Sequence, residues 1–211
     1  MKSVGRLHVI TDTEHQDRYD HVELARRALA GGADVIQYRA KHDSTRAMIA
    51  TARAIGALCY EHDARLIVND RLDVALAADA GGVHLGQEDF PVRLARELLG
   101  PDRLIGASAA TVAEAEEAAW AGADYLGVGA VYATDRKADA GEPIGTDGLR
   151  AIAAAVEIPV IAIGGVTGER LPAILGAGAH GVAVIQAVSL APDPEAAARA
   201  LWEQLTEGRD A

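Results

Sequence analysis

An eight-fold β/α barrel is the fold this chain predicts, and three observations predict it. Eight short apolar stretches each precede a helical stretch, with short joins, within 211 residues. Stretches such as LHVIT, LIVN and VIAI are mainly apolar rather than alternating, as strands covered on both faces should be. GGADVIQ, DAGGVHLG, AGADYLGVG and AGAHGVAV recur where a helix end meets an even-numbered strand. A doubly wound open sheet is the alternative. Its dinucleotide-binding form needs GxGxxG after the first strand, where this chain has DTEHQ. No domain boundary is visible, so residues 1–211 read as a single barrel domain with its active site at the C-terminal ends of the strands.

The elements follow in order. Leu7–Thr11 is the first strand, and a polar loop leads to Asp20, which can cap the helix HVELARRALAGG. Val35–Tyr38 is the second strand, and Ser44 can cap a long helix to about Glu61. Leu66–Asn69 is the third, with a short helix Leu72–Ala78, and Gly82–Leu85 is the fourth. Pro91 sits near the next helix start, where its missing N–H costs little. Leu104–Ala107 is the fifth strand, Thr111 caps VAEAEEAAWAG, and Tyr125–Val128 is the sixth. A polar segment, Gly129–Thr146, precedes DGLRAIAAAV, and Pro159 turns the chain into Val160–Ile163. Gly164, Gly165 and Thr167 open ERLPAILGAG, which carries an internal Pro172; Gly181–Val184 is the eighth strand, and Pro194 to about Thr206 the last helix.

Composition narrows the function. Half the residues are apolar, enough for a sizeable core. A net charge of -11 and 4% aromatic residues oppose nucleic-acid binding. Cys59 is the only cysteine, so no intrachain disulfide forms, and its alanine-rich helical setting suits a packing role. No signal peptide and no apolar run of 18 residues is present, so neither a membrane nor export is expected, and the expected setting is cytoplasmic.

A barrel places its chemistry at the strand ends. There the sequence puts Gln37, Arg39 and Lys41; Asn69 and Asp70; His84, Gln87, Glu88 and Asp89; Ser108; Thr134, Arg136 and Lys137; Gly164 and Gly165; and Gln186. Asp70 and Asp89 leave neighbouring parallel strands on one face and could hold a hard divalent cation such as Mg2+. Arg39 and Lys41, with Lys137 across the mouth, form an anion pocket: arginine grips phosphate with a fork and lysine adds a point charge. Taken alone, such a basic pair is ordinary loop surface; beside paired acids it suggests a metal–diphosphate site. Asp73 is a third ligand or, more simply, a helix cap or salt-bridge partner, and Asp79 is structural. His84 reads as a hydrogen-bonded interior histidine rather than a ligand. Ser108 shows no His–Asp partner in the sequence, so its hydroxyl reads as an anion contact, not a nucleophile. Gly164-Gly165 and the end of strand eight suggest a second, monophosphate site built from backbone N–H groups, although a GG pair alone is explained by a tight turn.

With these residues in hand, the chain resembles the thiamine-phosphate synthases, also called thiamine-phosphate pyrophosphorylases. The matching stretches are QYRAK at 37–41, VND at 68–70, GVHLGQED at 82–89, GAS at 106–108, Thr134 with Lys137, AIGGVT at 162–167 and GVAVI at 181–185. The resemblance implies Mg2+-dependent coupling of 4-amino-5-hydroxymethyl-2-methylpyrimidine diphosphate with 4-methyl-5-(2-hydroxyethyl)thiazole phosphate. The products are thiamine phosphate and diphosphate. It implies Asp70 and Asp89 as metal ligands. It implies Arg39, Lys41, Asn69, Ser108 and Lys137 as diphosphate ligands, with Arg39, Lys41, Ser108 and Lys137 carrying catalysis. Gln37 then contacts the aminopyrimidine, while Thr134 and the backbone at Gly165, Ile185 and Gln186 lie on the thiazole-phosphate side; Arg136, a departure from the family, adds charge near the expected phosphates as a substrate-binding residue. The partners are thus two small phosphorylated heterocycles; a homodimer stays open.

The family loop pattern GPxFxTxTK reads GAVYATDRK here, with Ala130 for proline, Tyr132 for phenylalanine and Arg136 for the second threonine. Gln186 stands where serine is common and Ala40 where an acid is common. The competing resemblance is to the thiazole tautomerases, whose loop can carry TDxK. Their loop histidine is replaced by Ala130, and they tend to lack the acid pair kept here. A phosphate-binding barrel without coupling activity is the remaining alternative.

Overall fold

The computed structural model describes residues 3–14, 16–133 and 142–207. Eight parallel strands close on themselves in chain order: β1 Leu7–Thr11, β2 Val35–Tyr38, β3 Arg65–Asn69, β4 Gly82–Leu85, β5 Leu104–Ala109, β6 Tyr125–Val128, β7 Val160–Ile163 and β8 Gly181–Val184. The closing pair is β1 with β8, in register Leu7↔Val182 to Val9↔Val184. The helices are α1 His21–Ala30, α2 Thr45–Glu61, α3 Leu72–Ala77, α4 Val92–Leu99, α5 Val112–Trp120, α6 Gly145–Ala155, α7 Leu171–Gly176, α8 Gln186–Ser189 and α9 Pro194–Glu207. No helix among the described residues is long and apolar enough to cross a membrane.

Each strand divides its side chains between two cores, and this is why the strands are not amphipathic. Val9, Ile36, Val68, Val83, Ile105 and Leu126 point outward into the layer shared with the helices. Ile10, Val35, Ile67, Leu104, Tyr125 and Ile161 fill the barrel interior. Both faces are therefore dry, and alternation disappears. Cys59 lies buried in the outer layer, where burial pushes its thiol up to about 12 and keeps it unreactive.

The helix starts follow the sequence closely. Asp20 accepts from the Glu23 N–H, Ser44 accepts from the Ala47 N–H, and Thr111 forms a reciprocal capping box with Glu114. Each cap satisfies an otherwise orphaned donor, worth about 1 kcal/mol. Some boundaries differ. β5 runs two residues beyond the expected Ala107, so Ser108 is inside the strand, paired with Gly127, rather than beyond its end. Pro172 sits in the first turn of α7, not in a helix interior, where its lack of an N–H is harmless. The one-turn α8 has too few residues to show a period, and the sequence does not reveal it.

The barrel interior is less apolar than its walls. His8, Gln37 and His84 are all buried within it. Glycines make the room. A methyl on Gly106 would lie 2.2 Å from the Tyr125 ring and 2.5 Å from His84, and one on Gly127 2.7 Å from His84. Gly106→Ala is therefore expected to lose about 1–3 kcal/mol in urea unfolding. Gly176→Ala, with nothing within 4 Å of the added carbon, should be neutral or stabilising.

Candidate active site

Strands β3 and β4 are neighbours, pairing Asn69 with His84, so the residues that follow them share one rim. Asp70 has φ 61°, a left-handed conformation that aspartate tolerates better than most residues. Its N–H donates to the His84 carbonyl at 2.8 Å, which anchors it to β4. Asp89 turns back toward its own strand and accepts from the Gly86 N–H at 2.7 Å. The two carboxyl groups come within hydrogen-bonding reach of one another. Partial burial pushes the Asp89 carboxyl above the usual carboxylate range. The Gly86 N–H opposes this, the charge and hydrogen bond of Asp70 add to it, and Lys41 pulls the other way. Lys41 Nζ donates to Asp70 at 2.5 Å.

Such crowding suits a hard divalent ion that takes oxygen ligands. No group of three or more His, Cys, Asp or Glu side chains with metal-binding geometry occurs among the described residues. Two carboxylates, with waters and substrate phosphates completing the shell, match the manner in which Mg2+ is commonly held.

β2 ends at Tyr38, but the Arg39 N–H still bonds the Thr11 carbonyl, at 3.3 Å. Gln37 and Arg39 thus both line the central cavity, whereas Lys41 lies beyond the strand and reaches sideways to Asp70. Arg39 is held by two acids that the sequence reading passed over as a polar loop. Its guanidinium bonds Asp12, almost wholly buried, and Glu14 at 3.0 Å; His42 contacts Glu14 at 3.2 Å. The signal was DTE directly after β1, but its partner lies 27 residues away. Two clusters result among the described residues: Asp12 and Glu14 on Arg39, and Asp70 and Asp89 beside Lys41.

Ser108 corrects the sequence reading in one respect: it has a histidine partner. His84 Nε2 lies 3.1 Å from Ser108 Oγ, and His84 Nδ1 lies 3.2 Å from the Tyr125 hydroxyl. The other side of the imidazole thus meets a phenol rather than the carboxylate of a hydrolytic triad. His84 is an interior, hydrogen-bonded residue. Gln87 Nε2 donates to the Ser108 carbonyl, and Asn69 lines the same cavity. Asp73 pairs with Arg71 at 2.8 and 2.6 Å, which lowers its carboxyl, and Asp79 binds Arg103. Neither joins the rim cluster.

On the opposite side, Gly164 and Gly165 have φ 95° and 63°. A side chain on Gly164 would strike Ala130, and one on Gly165 would strike Tyr132. The Tyr132 N–H donates to the Gly164 carbonyl at 3.1 Å. Arg170 donates to the Gly165 carbonyl at 2.5 Å and stacks over the Tyr132 ring at 4.3 Å. Ile185 lines the cavity and Gln186 begins α8. Thr134, Arg136 and Lys137 lie outside the described residues.

The family model described as thiamine monophosphate synthase matches residues 7–188. The thiamine-phosphate synthase of Moorella thermoacetica is 50% identical over 203 residues, 96% of this chain and 97% of the relative. That of Salinibacter ruber is 50% identical over 93% of this chain and 86% of its own. The thiamine phosphate pyrophosphorylase structure from Pyrococcus furiosus superposes with a TM-score of 0.87 at 44% identity, covering 96% of each chain.

Two outcomes follow from the rim. Because the fold raises the Asp89 carboxyl, its native state binds the proton more tightly than the unfolded chain does. This contribution is full below the ordinary aspartate range and is lost as pH rises through the raised value. Asp89→Asn should therefore raise the melting temperature at pH 7–8 in chelator and give no gain near pH 3. Asp12→Ala should destabilise by about 3 kcal/mol in denaturant titration, because it leaves the Arg39 charge short of its most buried partner.

Proposed function

The chain belongs to the thiamine monophosphate synthase family, and from that membership and the rim geometry we propose how its site performs the coupling. Thiamine phosphate is formed from the pyrimidine diphosphate and the thiazole phosphate, with diphosphate released. The observation that carries this reading is the contact of Asp70 with Asp89 beside Lys41, with Arg39 and Asn69 lining the adjoining cavity. The whole chain acts as one barrel domain with this mouth as its active site, in a cytoplasmic setting. The partners are the two small substrates, with no nucleic acid or membrane, and a homodimer is compatible with the arrangement.

Asp70 and Asp89 would hold Mg2+, which supplies positive charge to a departing diphosphate. The remaining work belongs to the chain's own side chains. Arg39, Lys41, Asn69 and Ser108 bind and orient the diphosphate, joined by Lys137, and stabilise the charge that grows on its bridging oxygen as the carbon–oxygen bond breaks. Gln37, buried at the cavity wall, takes the polar edge of the aminopyrimidine. Its ring delocalises the positive charge left on the methylene carbon. The thiazole nitrogen then donates its electron pair to that carbon, so no protein nucleophile is needed. The Gly165 turn, Ile185 and Gln186 hold the thiazole phosphate on the opposite side; Thr134, by the family resemblance, serves the same substrate, and Arg136 adds positive charge for the phosphates. Face-to-face placement in a dry cavity supplies much of the acceleration.

Incubation of the purified chain with both substrates and Mg2+ should yield thiamine phosphate and diphosphate in equal amounts. No product at high enzyme concentration would reject the reading, and thiazole isomerisation instead would favour a tautomerase. Asp89→Ala should lower kcat/KM by about a hundredfold or more while circular dichroism shows an intact fold; unchanged turnover at low Mg2+ would remove the carboxylate from the metal site.

A further inference from the structure

Tyr125 is fully buried inside the barrel, packed with the interior apolar cluster. Its hydroxyl lies 3.2 Å from His84 Nδ1, and His84 Nε2 lies 3.1 Å from Ser108 Oγ. We propose that Tyr125 is a positioning residue. Its O–H fixes the tautomer of His84, and His84 in turn reserves the Ser108 hydroxyl proton for the diphosphate. The inference rests on the reading of Ser108 as a diphosphate contact.

A phenol between buried walls must place its proton on an acceptor, and the acceptor beside it is His84 Nδ1. Burial raises the Tyr125 pKa strongly, so the phenol stays protonated and remains a donor throughout the working range. With Nδ1 accepting, the proton of a neutral imidazole sits on Nε2 and donates to Ser108 Oγ. A serine hydroxyl has one proton to give. When its oxygen already accepts from His84, that proton turns away from the imidazole and into the cavity that Gln37, Asn69 and Ser108 line. Gln87, bonding the Ser108 carbonyl, holds the same residue in place from the rim. The packing leaves the imidazole little freedom to rotate out of this line, since added methyls at Gly106 and Gly127 would both strike it.

The test has two independent arms, both on the full-length protein. In 15N-histidine NMR of the ligand-free wild type, the His84 resonances, assigned with His84→Gln, should show a protonated Nε2 and a bare Nδ1. In Tyr125→Phe this preference should be lost. An Nδ1–H tautomer in the wild type overturns the inference, whether or not the protein couples its substrates. In the kinetic arm, Tyr125→Phe should lower kcat/KM for the pyrimidine diphosphate about tenfold, the scale of one mis-set hydrogen bond to a charged group. The KM for the thiazole phosphate should not change. Equal losses toward both substrates would mark a merely structural tyrosine and also overturn the inference. A wild type that shows the expected tautomer but makes no thiamine phosphate would sink the functional reading and leave the tautomer assignment standing.

Discussion

Asp70 and Asp89 are two like charges that the fold forces into contact. Barrel closure makes β3 and β4 neighbours, the left-handed backbone at Asp70 turns its carboxylate off the strand end, and the Gly86 N–H draws Asp89 back toward it. Partial burial first, and the neighbouring Asp70 charge after it, raise the Asp89 carboxyl, so ionising both members of the pair costs stability. Lys41 offsets part of it from the flank. The result is a pair of oxygen donors fixed side by side on one rim.

Beneath this charged rim the barrel is a rigid support. Branched side chains fill most of the interior, with a few polar groups set among them. His8 lies at the floor, bonded through one ring nitrogen while its Nδ1 has no hydrogen-bond partner among the described residues. Its Nε2 donates to the Val4 carbonyl at 2.9 Å, and burial lowers its pKa to about 4, so it stays neutral. His84, nearer the mouth, is held between a phenol and a serine. The glycines of β5 and β6 are the spatial counterpart of these rings, since an imidazole and a phenol fit only where the facing strands carry no side chain.

What could be read from the chain alone depended on distance along it. Strand and helix positions are local, set by apolar runs and by caps three residues long, so Asp20, Ser44 and Thr111 were legible. The placing of Asp70 and Asp89 on one rim was also legible, because parallel strands in sequence order leave little choice once the barrel is assumed. The clasp of Asp12 and Glu14 on Arg39 was not, nor was the Ser108–His84 contact. These pairs are separated by 27, 25 and 24 residues, and no periodicity links them. Only the register of the closed sheet brings them together. The extension of β5 through Ser108 was missed for a related reason: GASA carries no bulky apolar residue, and ladder pairing with β6 alone marks it as strand.

The charges on the described residues of the mouth have a consequence for traffic into the barrel. A polyphosphate approaching Asp12, Glu14, Asp70 and Asp89 meets repulsion from these carboxylates and attraction from Arg39 and Lys41. The charge an incoming molecule carries therefore weighs beside its shape at this mouth.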